Sequence, residues 1–277
     1  MSLSYNNFMK VRGYIKNFKI LEFDSGFKLA NVTITDSNTN NSVFVKIFNS
    51  KNLKYDGQPT TLEGLKTIFM DSDGKPRGIL VEVNGRSYEN KYTSSDGTEK
   101  VSDNNIAFSI NPYDDEETQG AALKVKGIVE AIKYGEDKDG QSVAKLRVGT
   151  LRLNKDKDVI GVETVTIVAH GDVAEKMEDE GVARGTSAMF KCAMINIMPK
   201  RDIYGDFIGE SKKENEVKSF SDFKDEDEID EDYKLYKKAK KLGKGEIIKV
   251  KKDDDEVEDV KPVKEKGFDV DDDELDF

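Results

Sequence analysis

A six-residue pattern occurs twice in this chain. Lys10-Val11-Arg12-Gly13-Tyr14-Ile15 returns as Lys124-Val125-Lys126-Gly127-Ile128-Val129, with charge, apolar position and glycine in the same places. Read with the two-residue period of a strand, the first copy separates into two faces. Met9, Val11, Gly13 and Ile15 are apolar or small, whereas Lys10, Arg12, Tyr14, Lys16 and Phe18 alternate cation and ring. A glycine inside such a strand lets it bend sharply in a barrel with no side chain in the corner. Two copies of a bent opening strand predict two copies of one small β architecture.

The segments after each copy agree. Residues 8–23 form a long first strand ended by the turn Asp24-Ser25-Gly26. Phe27 to Thr35 follows, with Ala30, Val32 and Ile34 on one side. Beyond the turn at residues 36–41, Val43, Val45 and Ile47 alternate with Phe44, Lys46 and Phe48. After Pro59, Leu62, Leu65, Ile68 and Phe69 recur at helical spacing. Strands follow at Ile79-Val81-Val83 and Ile106-Phe108-Ile110, separated by a polar stretch, Asn84 to Asp103, read as an extended hairpin or a mobile loop.

Asn111 to Gly120 reads as a linker. The second copy then gives strands at Ser142–Leu153, Glu163–Ala169 and Ser187–Ile197. A helix capped by Asp172 carries Val173, Ala174 and Met177 on its inner side, and a weaker last strand lies between Tyr204 and Phe220. Strand–strand–strand–helix–strand–strand is the element order of an OB-fold, a small Greek-key barrel. The expected fold is mainly β: tandem OB-fold-like barrels at 1–113 and 121–224, each with a short helix, and a largely disordered acidic tail at 225–277.

Two outward stripes, Lys10–Phe18 and Phe44–Phe48, set rings among cations. That pattern suits a flexible polyanion with flat bases, because cations meet phosphates while rings stack. An ordinary strand covered by another segment would read the same way. The second copy supplies Lys124, Lys126, Lys145, Arg147 and Arg152, with Tyr134 nearly its only ring in a comparable place. Backbone contact or a plain solvated face both fit those cations.

A net charge of −11 opposes a polyanion, but the segment from Asp225 to Phe277 carries −9 of it, 21 acidic residues against 12 basic. The body is near neutral, so any groove is a local patch. With 36% of residues hydrophobic and 36% charged, a modest core plus much solvated chain is expected. One cysteine, Cys192, excludes an internal disulfide. The start carries no signal-peptide pattern, and no run approaches the roughly 20 apolar residues that span a bilayer. A cytoplasmic location, with no membrane partner, is the expectation.

Beyond Phe223, Tyr233 to Leu242 offers one short basic helix among acidic runs, and few apolar residues are available to bury. The chain ends Phe268-Asp269-Val270-Asp271-Asp272-Asp273-Glu274-Leu275-Asp276-Phe277, with six acidic residues in ten. A solubilising tail is the plain reading. Its apolar ends offer an anchor for a partner's pocket, with charge to steer it.

At these residues the chain resembles the single-stranded DNA-binding proteins of bacteria and their phages, in which an OB-fold body precedes an acidic tail with an apolar tip. The resemblance rests on Phe268–Phe277, the OB-like order and the two aromatic–basic strands. It departs from bacterial members, which typically have one barrel per chain, stack with tryptophan and end in proline–phenylalanine. This chain has no Trp, two candidate barrels and Asp276-Phe277 at its end, so a phage version matches better.

The resemblance implies a non-catalytic role in DNA replication, recombination and repair. The residues themselves assign stacking to Tyr14, Phe18, Phe44 and Phe48, and phosphate neutralisation to Lys10, Arg12, Lys16 and Lys46. Lys124, Lys126, Lys145 and Arg147 are the second copy's candidates. The family's tip recruits replication or repair proteins (polymerase, helicase, primase or nuclease), which carries over to Phe268, Leu275, Asp276 and Phe277. An acidic interaction protein or DNA mimic that inhibits a host nucleic-acid-binding protein is the alternative.

Catalysis finds little support. His170, the one histidine, reads as a strand-end residue, and one His with one Cys cannot make a zinc site from those donors alone. No phosphate-cradling Gly-x-x-x-x-Gly-Lys is present. Asp71-Ser72-Asp73-Gly74 and Asp137-Lys138-Asp139-Gly140 fit turns better than calcium loops, lacking the distal glutamate. A carboxylate-bound magnesium nuclease is the one enzyme reading that spacing leaves open. No cofactor is expected.

Overall fold

The computed structural model describes residues 5–51, 53–94, 96–154, 158–197, 200–201, 207–208, 211–222, 226–243, 245–249 and 263–264. The first copy of the repeat lies in β1 (Asn6–Glu22), followed by β2 (Lys28–Thr35), β3 (Ser42–Phe48), α1 (Leu62–Phe69), β4 (Leu80–Thr93) and β5 (Glu99–Pro112). The second copy opens β6 (Gly120–Glu136), followed by β7 (Ser142–Leu153), β8 (Val159–His170), α2 (Asp172–Asp179), β9 (Ser187–Ile197) and β10 (Lys212–Asp222). Strands pair around the circuit β1–β2–β3–β5–β4–β1, antiparallel except for β3 with β5. The second circuit, β6–β7–β8–β10–β9–β6, is the same, with β8 and β10 parallel. These are two OB-fold-like barrels, each closed between its third and fifth strands by one parallel pair, Lys46 with Ile106 and Val168 with Glu216.

The repeats also meet each other. β1 and β6 run antiparallel from Asn6 opposite Lys126 to Arg12 opposite Gly120, so one apolar core runs through both barrels. The repeated glycines allow the close approach inside each barrel. A Cβ on Gly13 would lie 2.6 Å from the Thr35 carbonyl oxygen, and one on Gly127 would lie 2.2 Å from that of Gly149.

Just after each glycine comes a second shared feature. The pairing slips between Ile15 and Asn17 in β1 and between Val129 and Ala131 in β6, so Lys16 and Glu130 are extra residues. A bulge of this kind reverses the alternation downstream. The expected outward position of Phe18 is therefore wrong. Phe18 is 3% exposed in the core, its ring 5.8 Å from that of Phe69 in α1. A slip in β5, where Ser109 faces Asn84 but Ala107 faces Gly85, has the opposite result: Phe108 is turned out to 63% exposure.

The polar stretch 84–103 forms most of the β4–β5 hairpin. α1 starts at Thr61, whose hydroxyl accepts from the Gly64 N–H at 3.0 Å, and it buries Leu62, Leu65 and Phe69. Asp172 does not cap α2: the cap position is Gly171, and Asp172 is the first helical residue, over buried Ala174 and Met177.

Fixed structure extends past Phe223, where a composition poor in apolar residues predicts little. α3 (Glu226–Ala239) packs Tyr236 and Ala239 against Tyr5, Ile128, Leu151 and Val159, a second small core on the flank of the second barrel. The tip residues Phe268, Leu275, Asp276 and Phe277 lie outside the described residues.

Candidate nucleic-acid interface

On the outer side of the first barrel, two cross-strand rows set polar and aromatic groups side by side: Asn17, Thr33 and Phe44, then Lys19, Asn31 and Lys46. The next row, Leu21, Leu29 and Phe48, is apolar, with Leu29 buried. Phe44 is 60% exposed. Phe48 is half-buried against Phe27, with ring centroids 5.8 Å apart. β5 lies beside β3 with Ile106 opposite Lys46, so Phe108 and Phe48 each lie two residues further along. The Asn105 amide donates to the Phe44 carbonyl at 2.9 Å, fixing the strand that presents the ring.

Arg86 completes this face. Its guanidinium carbon lies 5.3 Å from the Tyr88 ring centre and 5.9 Å from that of Phe108, within cation–π range. Strict alternation hides Phe108, Arg86 and Tyr88, because it counts Phe108 with Ile106 and Ile110. Gly85 is the signal that marks the slip: a Cβ there would lie 2.0 Å from the Ile106 carbonyl oxygen.

The β1 candidates are engaged elsewhere. Lys10 and Arg12 both reach the Glu82 carboxylate, at 3.3 and 2.8 Å, and Arg12 also lies over the Tyr113 ring at 4.5 Å. Burial works to raise the Glu82 pKa, but hydrogen bonds from Asn84, Arg12 and Lys10 outweigh it and hold the carboxyl below its ordinary value. The Tyr14 hydroxyl is bonded to Glu116, which raises its pKa. Lys16 is exposed at the bulge. The structure therefore does not gather the Lys10–Phe18 stripe with Phe44, Lys46 and Phe48 into one surface.

In the second barrel the candidates divide. Arg147 does not stand on an open face. Its Nε lies 3.3 Å from Glu89 of the β4–β5 hairpin and 3.8 Å from Glu130, and one Nη donates to Thr164 at 3.1 Å. Glu89 also accepts from Thr164, at 3.0 Å, and from Thr166. Tyr134 is spent as well, half-buried with its hydroxyl donating to the Val182 carbonyl at 2.7 Å. The Tyr236 ring covers Gly149, and its hydroxyl and Lys240 both bond Glu130 at 2.6 Å. The Tyr236 pKa is raised by burial and then by Glu130. Lys145 is exposed opposite Lys133. Lys124 and half-exposed Lys126 lie on the outer side of β6, in the part that pairs with β1 and β9.

A small open cleft lies between the barrels, with Phe44, Asn105, Asn196 and Glu214 in its lining. An ion pair, Lys213 to Asp103 at 3.3 Å, and hydrogen bonds from Asn41 to the Met194 carbonyl and from Asn196 to the Ser42 carbonyl, both 2.6 Å, cross beside it.

His170 ends β8 with Nε2 3.0 Å from Glu214. Burial pushes the Cys192 thiol up to about 12. Asp71 spends Oδ1 on the backbone N–H groups of Asp73 and Lys75, at 2.9 and 2.8 Å, and Asp137 does the same for Asp139 and Gln141, at 2.8 and 2.9 Å. Among the described residues no three His, Cys, Asp or Glu are grouped to hold a metal, and no helix is long and apolar enough to cross a membrane.

No protein-family model matches the chain, and no curated protein does. Solved structures do. An internally deleted, point-substituted form of the single-stranded DNA-binding protein from Thermus aquaticus superposes with a TM-score of 0.53 at 14% identity, covering 81% of this chain and 98% of that one. The wild-type Thermus aquaticus protein gives 0.51 at 12% identity, covering 80% and 94%. The second single-stranded DNA-binding protein of Mycobacterium smegmatis gives 0.25 at 17%, over 36% of this chain and 86% of its own. At such identities the Thermus likeness establishes a shared fold.

Proposed function

We propose that this chain is a non-catalytic single-stranded DNA-binding protein of phage type, acting in DNA replication, recombination and repair. Its main DNA-binding domain is 1–113, with 121–224 as a second barrel and 225–277 as the partner-recruiting tail. The observation that carries the reading is the exposed Phe44 ring, in line with Lys46 and Phe48 on β3 and beside a strand that exposes Phe108. Rings that cost solvation when left in water, set beside Lys46, suit bases that stack and phosphates that pair. A fold shared with two forms of a bacterial single-stranded DNA-binding protein supports the same reading.

Phe44, Phe48 and Phe108 would stack on bases, with Lys46 and Lys16 near the backbone, while Arg86, paired with Glu163 at 2.7 Å, braces the Tyr88 and Phe108 rings. Lys10, Arg12 and Tyr14 act at the margin, since each already has a carboxylate partner. The tail tip would hold replication or repair proteins in the cytoplasm of a host cell. The DNA-mimic alternative accounts for the tail but leaves exposed rings among cations without a use.

Titration of labelled oligo(dT) at several salt concentrations, with duplex DNA as competitor, tests this. Saturable binding that weakens with salt and resists duplex is expected. Absence of saturable binding at low salt would reject it. Removing Phe268–Phe277 should preserve or raise DNA affinity while abolishing capture of a replication protein.

A further inference from the structure

We infer that the outer face where β1, β6 and β9 run side by side is a second tract for the single strand, one that grips its phosphates rather than its bases. This rests on the single-strand reading above and extends it to a different surface. Three cross-strand rows define the face: Asn6, Lys126 and Met189; Phe8, Lys124 and Lys191; Lys10, Ala122 and Ala193. Four of those nine residues are lysine and none is acidic, in a chain with 55 acidic and 44 basic residues.

The middle row is the informative one. Lys124 stands directly opposite Lys191, both exposed, and among the described residues neither has a carboxylate partner. Like charges directly opposed across two strands destabilise a sheet. Several cations have an acid beside them, Lys10 at the edge of this face and Arg12, Arg86, Arg147 and Lys213 beyond it, while Lys133 opposite Lys145 is a second exposed lysine pair of the same kind. An unneutralised lysine pair therefore needs an external anion to be more than a cost. Phe8, opposite Lys124 and 41% exposed, sets a ring beside it.

Position gives the tract its role. Asn17, in the row that holds Phe44, follows Phe8 by nine residues on β1, which at about 3.3 Å per residue puts at most roughly 30 Å of bent strand between the two rows. A strand long enough to run from one barrel to the other reaches both, and a short one reaches only the first. A second copy of the chain is the poorer occupant, because a twofold interface brings the same patch to itself and sets lysines against lysines.

The test uses the full chain with Lys124→Ala and Lys191→Ala together, oligo(dT) of about 10 and about 40 nucleotides, and a salt series. A site of about 4–16 nucleotides per barrel makes the shorter probe a one-barrel ligand. Losing two phosphate contacts should lower the steepness of log K against log salt by about 1.4 for the long probe, at about 0.7 per contact. The short probe should be unaffected. Lys124→Arg with Lys191→Arg should restore the long-probe slope, and the alanine pair should unfold no earlier than the parent. An unchanged slope with the long probe overturns the tract. So does a parent that sediments as a dimer and an alanine pair that sediments as a monomer. Short-probe binding that survives Phe44→Ala with Phe48→Ala counts instead against the first-barrel site, so the two readings fail separately.

Discussion

The carboxylate of Glu89, on the β4–β5 hairpin of the first barrel, lies 3.3 Å from Nε of Arg147 in the second. Thr164 and Thr166 donate to the same carboxylate, so one buried acid from one barrel serves three donors of the other. Thr166 faces Arg147 across β7 and β8, on the outer side of the second barrel. The first barrel thus covers with its hairpin the part of its neighbour that corresponds to its own Phe44 face. Equivalent topology has given two barrels with unequal access to a ligand.

Phe44→Ala should weaken single-strand binding about tenfold, since a stacked base is worth roughly 1–3 kcal/mol. The exposed ring packs on little, so the thermal midpoint should hardly move. Phe48→Ala also removes a contact with Phe27 and should lower stability as well as affinity. The double variant should lose more than tenfold in a fluorescence titration, and an unchanged dissociation constant would remove this surface from consideration.

Phe18→Ala should behave as a core truncation, costing about 3–5 kcal/mol in a denaturant unfolding curve. Whatever remains folded should bind oligo(dT) normally. Native stability together with lost binding would return Phe18 to the surface.

Arg147→Ala leaves Glu89 and Glu130 facing each other's side of an empty site. Because the arginine is partly solvated, we expect a loss of about 1–3 kcal/mol, less than for a fully buried pair. Single-strand affinity should not change. Weaker binding at unchanged stability would mean that the arginine reaches the ligand.

Acid should loosen α3 through Glu130. Burial works to raise its pKa, but hydrogen bonds from Lys240 and Tyr236, with the charges of Lys240 and Arg147, hold it below the ordinary 4.5. A depressed folded-state pKa gives stability that is fully present above pH 4.5 and lost as pH falls through the folded value. Glu130→Gln should therefore be less stable near neutrality and flatter in its thermal midpoint below that pH. Parallel acid profiles for parent and variant would exclude Glu130 as a contributor.

Gly149→Ala should displace α3 without unfolding the barrels, since the added Cβ would lie 1.9 Å from the Tyr236 hydroxyl oxygen. Faster hydrogen exchange across 233–243, with β7 and β8 still protected, is the expected pattern. Unaltered exchange would mean that the helix is not seated on that glycine.

Periodicity and the internal repeat were sufficient for the architecture. Alternating Val43, Val45 and Ile47, the spacing of Leu62, Leu65 and Phe69, and the repeated Lys-Val-Lys/Arg-Gly opening are local patterns, and local burial energetics enforce them. They also put Phe44, Lys46 and Phe48 outward. What the pattern missed follows from one extra residue at a time. Lys16 buries Phe18, and the slip beside Gly85 exposes Phe108; a bulge is set by how two strands pair, which neither strand encodes alone.

The chain alone thus determined two similar barrels and which side of most strands is dry. Only the tertiary structure decided which outer faces stay open, because Glu82, Glu89, Glu116 and Tyr236 reach Lys10, Arg147, Tyr14 and Gly149 from distant parts of the sequence. A cation's availability depends on the acid that folding brings beside it, and no spacing along the chain records that distance.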